Sequence, residues 1–262
     1  MRYTLIGISL LLGFVFLSGC MHQVPVLSQQ SEQSTHIEGV AEKPVEFVKL
    51  GTGVWMHTGY KVVPPWGNIR TNGLIIERGD YSVLVDTAWN DAQTAEIVAW
   101  AKDTLQKPIR ASIHTHAHSD KMGGMDALHM LGVETFATDL TNRLAIERGL
   151  MPAKNVLNIS EIGSQIEWEG LTILYPGGGH SEDNIVVNEG VNNILFGGCM
   201  IRPGMTTSLG NIDDANLGYW SKAVENAANA FPDSQIVIPS HGKPAGREIL
   251  KNTAYIARPK LD

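Results

Sequence analysis

The sequence, 262 residues long, predicts an α/β fold with sheets sandwiched between helical layers. Two observations predict it. Apolar runs of strand length are punctuated by helix-length amphipathic runs, and the same order of elements recurs in each half of the chain. A hydrophobic fraction of 43% against a charged fraction of 18% is globular composition, and it argues against a disordered chain.

Taken in order, Phe47–Thr58, Thr71–Glu77 and Tyr81–Asp86 read as strands, with Arg78-Gly79-Asp80 turning the chain between the last two. Asp91–Leu105 reads as a helix. Its Ile97, Trp100, Ala101 and Leu105 share one face at helical spacing, and Asn90 is placed to cap it. Strand Ile109–Ile113 then runs into a histidine-rich loop. Short helices near 123–131 and 139–149 flank a strand at Glu134–Ala137. Strands are predicted at Val156–Ile159, Gln165–Trp168, Leu171–Tyr175, Asn184–Val187 and Asn193–Phe196. A helix over Leu217–Phe231 precedes strand Gln235–Ile238 and a last helix near 246–256. Gly177-Gly178-Gly179 lacks the Lys-Ser/Thr ending of a phosphate loop, and no short solenoid repeat is present.

Acidic side chains number 27 and basic ones 20, for a formal net charge of -7, with no block of Lys or Arg. That balance argues against a nucleic-acid partner, and none is expected. The N-terminus reads as a targeting segment. Arg2 is followed by the mostly apolar run Tyr3–Leu17, which is shorter than the ~20 residues a membrane span needs. The ending Leu17-Ser18-Gly19-Cys20 resembles a bacterial lipobox, which implies lipidation of Cys20 as the first mature residue. The expectation is a lipoprotein signal peptide at 1–19, a flexible tether at 20–44 rich in Gln, Ser, Glu and Pro, and one domain at 45–262. Met21 is not the aspartate that resembles an inner-membrane retention signal, so the expected location is periplasmic, anchored to the outer membrane through Cys20. Cys199 is then a single thiol in an oxidising compartment, which needs an explanation, and a metal-ligand role is one.

The chemistry centres on Thr115-His116-Ala117-His118-Ser119-Asp120-Lys121, where three donors alternate directly after a strand. Persisting extended backbone would point them the same way, so that the two imidazoles can converge on one ion. His180 closes a glycine turn after a strand, Cys199 follows Phe196-Gly197-Gly198, and His241 follows Ile236–Ser240. A lone His or Cys is most often structural. Here every member sits beyond a strand end and beside glycine or another donor, where sites on sheet edges are built. Catalytic zinc takes about three protein ligands and keeps an open position. Six donors therefore make two open sites, His116, His118 and His180 for one ion and Asp120, Cys199 and His241 for the other. His22, His36, His57 and His129 lack that setting and receive no function. His114 precedes the motif and reads as core or as support for it.

Thr115–Gly124 (THAHSDKMGG), Tyr175–His180, Asn184, Phe196–Cys199, Ser208–Asn211 (SLGN) and Ser240-His241 resemble the metallo-β-lactamases of subclass B1, over essentially the whole of 45–262. Related thioesterases and nucleases usually carry His after the Asp and a bridging Asp at the Cys position; Lys121 and Cys199 stand there in this chain. The resemblance implies a four-layer αββα sandwich with two Zn2+ per chain at its edge. It implies hydrolysis of the β-lactam amide bond in penicillins, cephalosporins and carbapenems, and hence antibiotic resistance. It implies that Asp120 orients the nucleophile and that Asn211 assists the carbonyl oxyanion. Arg202, where the family often has Lys, would bind the substrate carboxylate. Tyr60–Arg70 matches a mobile flap bearing Val63, Trp66 and Ile69, with Trp89 facing it, and Asp86 and Lys121 match residues around the site. Two alternatives remain. One is a hydrolase of thioesters or lactones, against which Lys121 and Cys199 argue. The other is a non-catalytic periplasmic zinc-binding lipoprotein, which would want closed sites.

Overall fold

A computed structural model describes residues 43–259. The expected signal peptide at 1–19, Cys20 and nearly all of the expected tether lie outside the described residues. Among those described, no helix is long and apolar enough to cross a membrane.

Twelve strands and six helices are described. Strands β1 (Glu46–Gly51), β2 (Val54–Val63), β3 (Gly67–Arg78), β4 (Tyr81–Val85), β5 (Ile109–Ile113), β6 (Glu134–Thr138) and β7 (Asn155–Leu157) form one sheet in chain order. Strands β8 (Gln165–Trp168), β9 (Leu171–Leu174), β10 (Val186–Glu189), β11 (Ile194–Gly198) and β12 (Ile236–Pro239) form the second, also in chain order. Parallel neighbours need a crossover, and helices supply it. Helix α1 (Asp91–Asp103) joins β4 to β5, and α2 (Ser119–Met122) and α3 (Met125–Met130) lie between β5 and β6. Helix α4 (Asp139–Glu147) precedes β7, α5 (Trp220–Ala230) joins β11 to β12, and α6 (Glu248–Ile256) closes the described chain.

The period-two side-chain alternation of the strands builds the layers. Leu74, Ile76, Val83 and Val85 point into a core shared with Val187, Ile194, Phe196 and Ile238 of the second sheet. Their neighbours Ile75 and Leu84 point the other way, onto Ile97 and Ala101 of α1 and Leu128 of α3. In the second sheet Val186, Leu195 and Val237 turn outward onto Trp220, Val224 and Ala227 of α5 and Leu250 of α6. Three apolar layers between four structural ones make the αββα sandwich.

The structure corrects some element boundaries. The single strand expected at 47–58 is two, broken at Thr52-Gly53, where Gly53 takes φ +68°. The expected flap at 60–70 is a paired ribbon, since β2 and β3 stay in register out to Val63 opposite Gly67. Only the Pro64-Pro65-Trp66 tip lies outside the strands, because proline has no N–H to give a ladder. Asn184 precedes β10 and is a turn residue: its Oδ1 accepts the Gly179 and Ser181 N–H groups and its Nδ2 donates to the Gly177 carbonyl.

Candidate metal centre

The site lies where the two sheets meet at their strand ends. Val85 of β4 stands opposite Ile113 of β5, and Gly198 of β11 opposite Pro239 of β12. The sheets are stitched there. Asn72 of β3 donates its N–H to the Ser240 carbonyl at 2.9 Å, and its Nδ2 reaches the Pro239 and Gly242 carbonyls at 2.7 Å each. The Ile185 N–H donates to the Thr115 carbonyl at 3.0 Å.

Extended alternation does not bring the motif's donors together, contrary to expectation. Strand β5 ends at Ile113, and residues 115–118 bend, with the His118 N–H on the His116 carbonyl at 3.0 Å. Asp120 then sits in the first turn of α2. Asp86, held at φ 62°, shapes this bend: its Oδ1 accepts the Thr115 N–H at 2.7 Å and its Oδ2 the Thr115 hydroxyl at 2.9 Å. A non-glycine residue in that region costs of order 1–3 kcal/mol, which these two buried bonds offset. Two glycines have specific work. Gly177, at φ +100°, leaves no room for a Cβ beside the Tyr219 ring, and Gly198, at φ +58°, turns the chain from β11 into Cys199.

All six expected donors converge. His118 Nδ1 lies 3.1 Å from His116 Nε2 and 3.2 Å from His180 Nε2. Cys199 Sγ lies 3.3 Å from Asp120 Oδ2 and 3.4 Å from His241 Nε2, and the last two are 3.5 Å apart. Two further groupings, His116 with His118 and Asp120, and His116 with His180 and Cys199, also fall within 4.8 Å, so the two trios adjoin. His114 is not among them; it bonds Ser112 Oγ and the Lys121 carbonyl, both at 3.0 Å.

The electrostatics fit a cation. Burial and the neighbouring imidazoles push His116 well below its usual range, and burial pushes His180 down to about 3, so both are neutral with a lone pair to give. Burial drives the Cys199 thiol well above its usual range, reinforced by the Asp120 charge. A thiolate there needs a positive partner. Burial would raise Asp120 too, but the Lys121 ammonium and the surrounding histidines hold its carboxyl well below the usual carboxylate range. Imidazole, carboxylate and thiolate donors in groups of three suit zinc with an open position.

A cleft of about 380 Å³ opens over these donors. Val63, Trp66, Ile69 and Trp89 line it, as do Arg202 and Asn211, so every residue expected to meet substrate borders it. Trp66, 60% exposed, belongs to the ribbon tip and not to the core. The Trp89 indole donates to the Ile69 carbonyl at 3.2 Å, tying the cleft wall to the ribbon. Arg202 Nε donates to the Ser208 carbonyl at 3.2 Å, and Asn211 Oδ1 accepts the Asp213 N–H at 3.1 Å.

Residues 66–241 match the sequence model of the family described as the metallo-beta-lactamase superfamily. The chain belongs to the metallo-β-lactamase family. This metallo-β-lactamase is 34% identical over 218 residues to the metallo-beta-lactamase type 2 of Bacteroides fragilis, covering 83% of this chain and 87% of that one. It is 33% identical over 215 residues to that of Pseudomonas aeruginosa, covering 82% and 85%. Its fold matches the solved structure of the metallo-β-lactamase FIM-1 from Pseudomonas aeruginosa in a mono-zinc form, at 50% identity and a TM-score of 0.79, covering 82% of this chain and 96% of that one. A metallo-β-lactamase from Erythrobacter litoralis matches at 44% identity, TM-score 0.79, covering 83% and 98%.

Sequence reasoning about this metallo-β-lactamase missed Asp214, which lines the cleft and meets His118. It follows Asp213 in a polar stretch that reads as a turn, and no spacing marks it out.

Proposed function

We propose that the chain is a subclass B1 enzyme that hydrolyses the β-lactam amide bond of penicillins, cephalosporins and carbapenems with two zinc ions. His116, His118 and His180 would hold one ion; Asp120, Cys199 and His241 would hold the other. Within that subclass the proposed kinship is with the New Delhi metallo-β-lactamase, whose motif segments those of this chain resemble. The observation that carries the reading is the convergence of two donor trios beneath an apolar-walled cleft, with His118, Asp120, His180 and His241 lining it.

Zinc, when bound, supplies hydroxide near neutral pH and a Lewis acid for a carbonyl. The chain's own residues do the rest. Asp120 orients the attacking oxygen, and Lys121, 3.3 Å from its Oδ2, keeps that carboxylate ionised. With Asn211 Oδ1 taken by the Asp213 N–H, its amide nitrogen is the group that donates to the carbonyl oxygen as charge develops there. Arg202 binds the carboxylate of the substrate nucleus. Its Nε is engaged by Ser208, which leaves the outer guanidinium nitrogens for that purpose. Val63, Trp66 and Trp89 pack the apolar part of the substrate and exclude water from the reacting bond.

The proposal includes a periplasmic location with a lipid on Cys20, supported by Leu17-Ser18-Gly19-Cys20 after the apolar run. Two measurements test the whole. Purified zinc-replete protein should open the lactam ring of a penicillin, a chromogenic cephalosporin and a carbapenem; failure on all three contradicts the enzyme reading. The expressed protein should fractionate with outer membranes, and Cys20→Ala should release it; an unlipidated N-terminus downstream of Cys20 removes the anchor.

A further inference from the structure

His118 differs from the other three imidazoles at the centre. His116 and His180 are buried, and the outer nitrogen of His241 rests on the Arg70 carbonyl at 2.7 Å. The His118 side chain is 18% exposed, so packing alone does not hold its ring. Its Nδ1 faces the donor trio, and its Nε2 lies 2.7 Å from Asp214 Oδ2. An ionised carboxylate only accepts hydrogen bonds. Asp214 therefore places the proton on Nε2 and the lone pair on Nδ1.

Asp214 is itself fixed from the far side. Arg148, the residue that ends α4, brings NH2 to 3.1 Å from Asp214 Oδ1. Its NH1 donates to the Ala117 carbonyl at 2.9 Å. That carbonyl belongs to the peptide leading into His118, and the Ala117 N–H is held in turn by Asp183 Oδ2 at 2.8 Å. The bonds close a ring: Arg148 to the backbone before His118, the His118 ring to Asp214, and Asp214 back to Arg148. One guanidinium thus fixes both the main chain and the ring orientation of a single donor. A planar fork serves this geometry and an ammonium does not.

We infer that Arg148 and Asp214 are a positioning pair that sets the tautomer and orientation of His118 for metal binding. The inference rests on the reading that His118 is a zinc donor. Groups in this position behind metal-bound histidines typically change metal affinity ~10–100-fold when removed. A surface ion pair with only a structural role would contribute little to anything.

The test is equilibrium competition for zinc against a chromophoric chelator, with thermal unfolding of the same proteins free of metal. Asp214→Ala should weaken the binding of one zinc equivalent ~10–100-fold while leaving the metal-free melting temperature nearly unchanged. Arg148→Ala should weaken it less, and Arg148→Lys should recover only part, since the charge returns without the fork. The double variant should lose less than the two single losses added together, because Arg148 acts in part through Asp214. Unchanged zinc affinity in Asp214→Ala overturns the inference, as does a loss in Arg148→Ala that adds in full to that of Asp214→Ala. Absence of zinc binding by the unaltered protein is a different result: it overturns the assignment of His118 as a zinc donor, and the inference with it.

Discussion

Lys121 Nζ stands 3.3 Å from Asp120 Oδ2, with none of the lysine side chain exposed. It also lies 3.7 Å from Asp86 Oδ2 and donates to Thr71 Oγ1 at 2.8 Å and the Asn72 carbonyl at 3.1 Å. Burial would depress this ammonium, but the Asp120, Cys199 and Asp86 charges outweigh it and raise it above its ordinary value. One cation thus underlies a donor of the candidate metal centre and the residue that shapes the bend before His116.

Removing that cation leaves two buried carboxyls without the charge they share. Breaking a buried pair by deleting one partner costs about 3–5 kcal/mol. Lys121→Met should therefore lower the stability of the metal-free protein by about that amount, and bound zinc should restore part of it by supplying positive charge. Urea unfolding with and without zinc checks this. A Lys121→Met protein as stable as the parent shows that the buried charges are compensated elsewhere.

Cys199 is buried, and its Sγ faces Asp120 and His241. Serine is a much poorer zinc donor than thiolate. Cys199→Ser should lose one zinc equivalent before the other on dialysis, with turnover falling alongside. Metal analysis after stepwise dialysis reads this directly. Unchanged stoichiometry and activity would remove Cys199 from the centre.

Arg202 is pinned under the loop that carries Asn211. A Cβ at Gly210 would come within 2.8–2.9 Å of its guanidinium, and Gly210 holds φ +75°. A substrate carboxylate is charged in ground and transition states alike, so an interaction with it lowers KM more than it raises kcat. Arg202→Ala should raise KM and lower kcat/KM by roughly tenfold to a hundredfold, from about 1.5–3 kcal/mol for a charge-assisted bond. Arg202→Lys should recover part of that. Gly210→Ala, which crowds the guanidinium without removing it, should also raise KM. Steady-state kinetics at several salt concentrations tests all three, and an unchanged KM in Arg202→Ala means that another group holds the carboxylate.

The candidate donors were legible in the sequence because each lies shortly after a strand end and near a glycine or another such side chain. His180 after Gly179 and Cys199 after Gly198 are examples. The sandwich was legible because strands such as Leu74–Ile76 are apolar on both faces, which only a sheet covered on both sides requires. Asp214 and Arg148 were not legible. Arg148 reads as an ordinary cation at a helix C-terminus, and Asp214 as a turn residue, because their partners are distant in sequence and set by the fold. The ribbon at 60–70 was hidden because Pro64 and Pro65 mark only its tip, while the pairing of Tyr60 with Arg70 is a property of register.

The most direct test of the central claim is β-lactam hydrolysis through a cycle of metal removal and return. Six candidate donors converge at this cleft, four of them lining it, and hydrolysis should depend on what they hold. Hydrolysis of a chromogenic cephalosporin should vanish on exhaustive chelation, return with added zinc, and saturate near two equivalents per chain. Protein shown by metal analysis to be zinc-free, yet hydrolysing the cephalosporin at the native rate, would contradict the account.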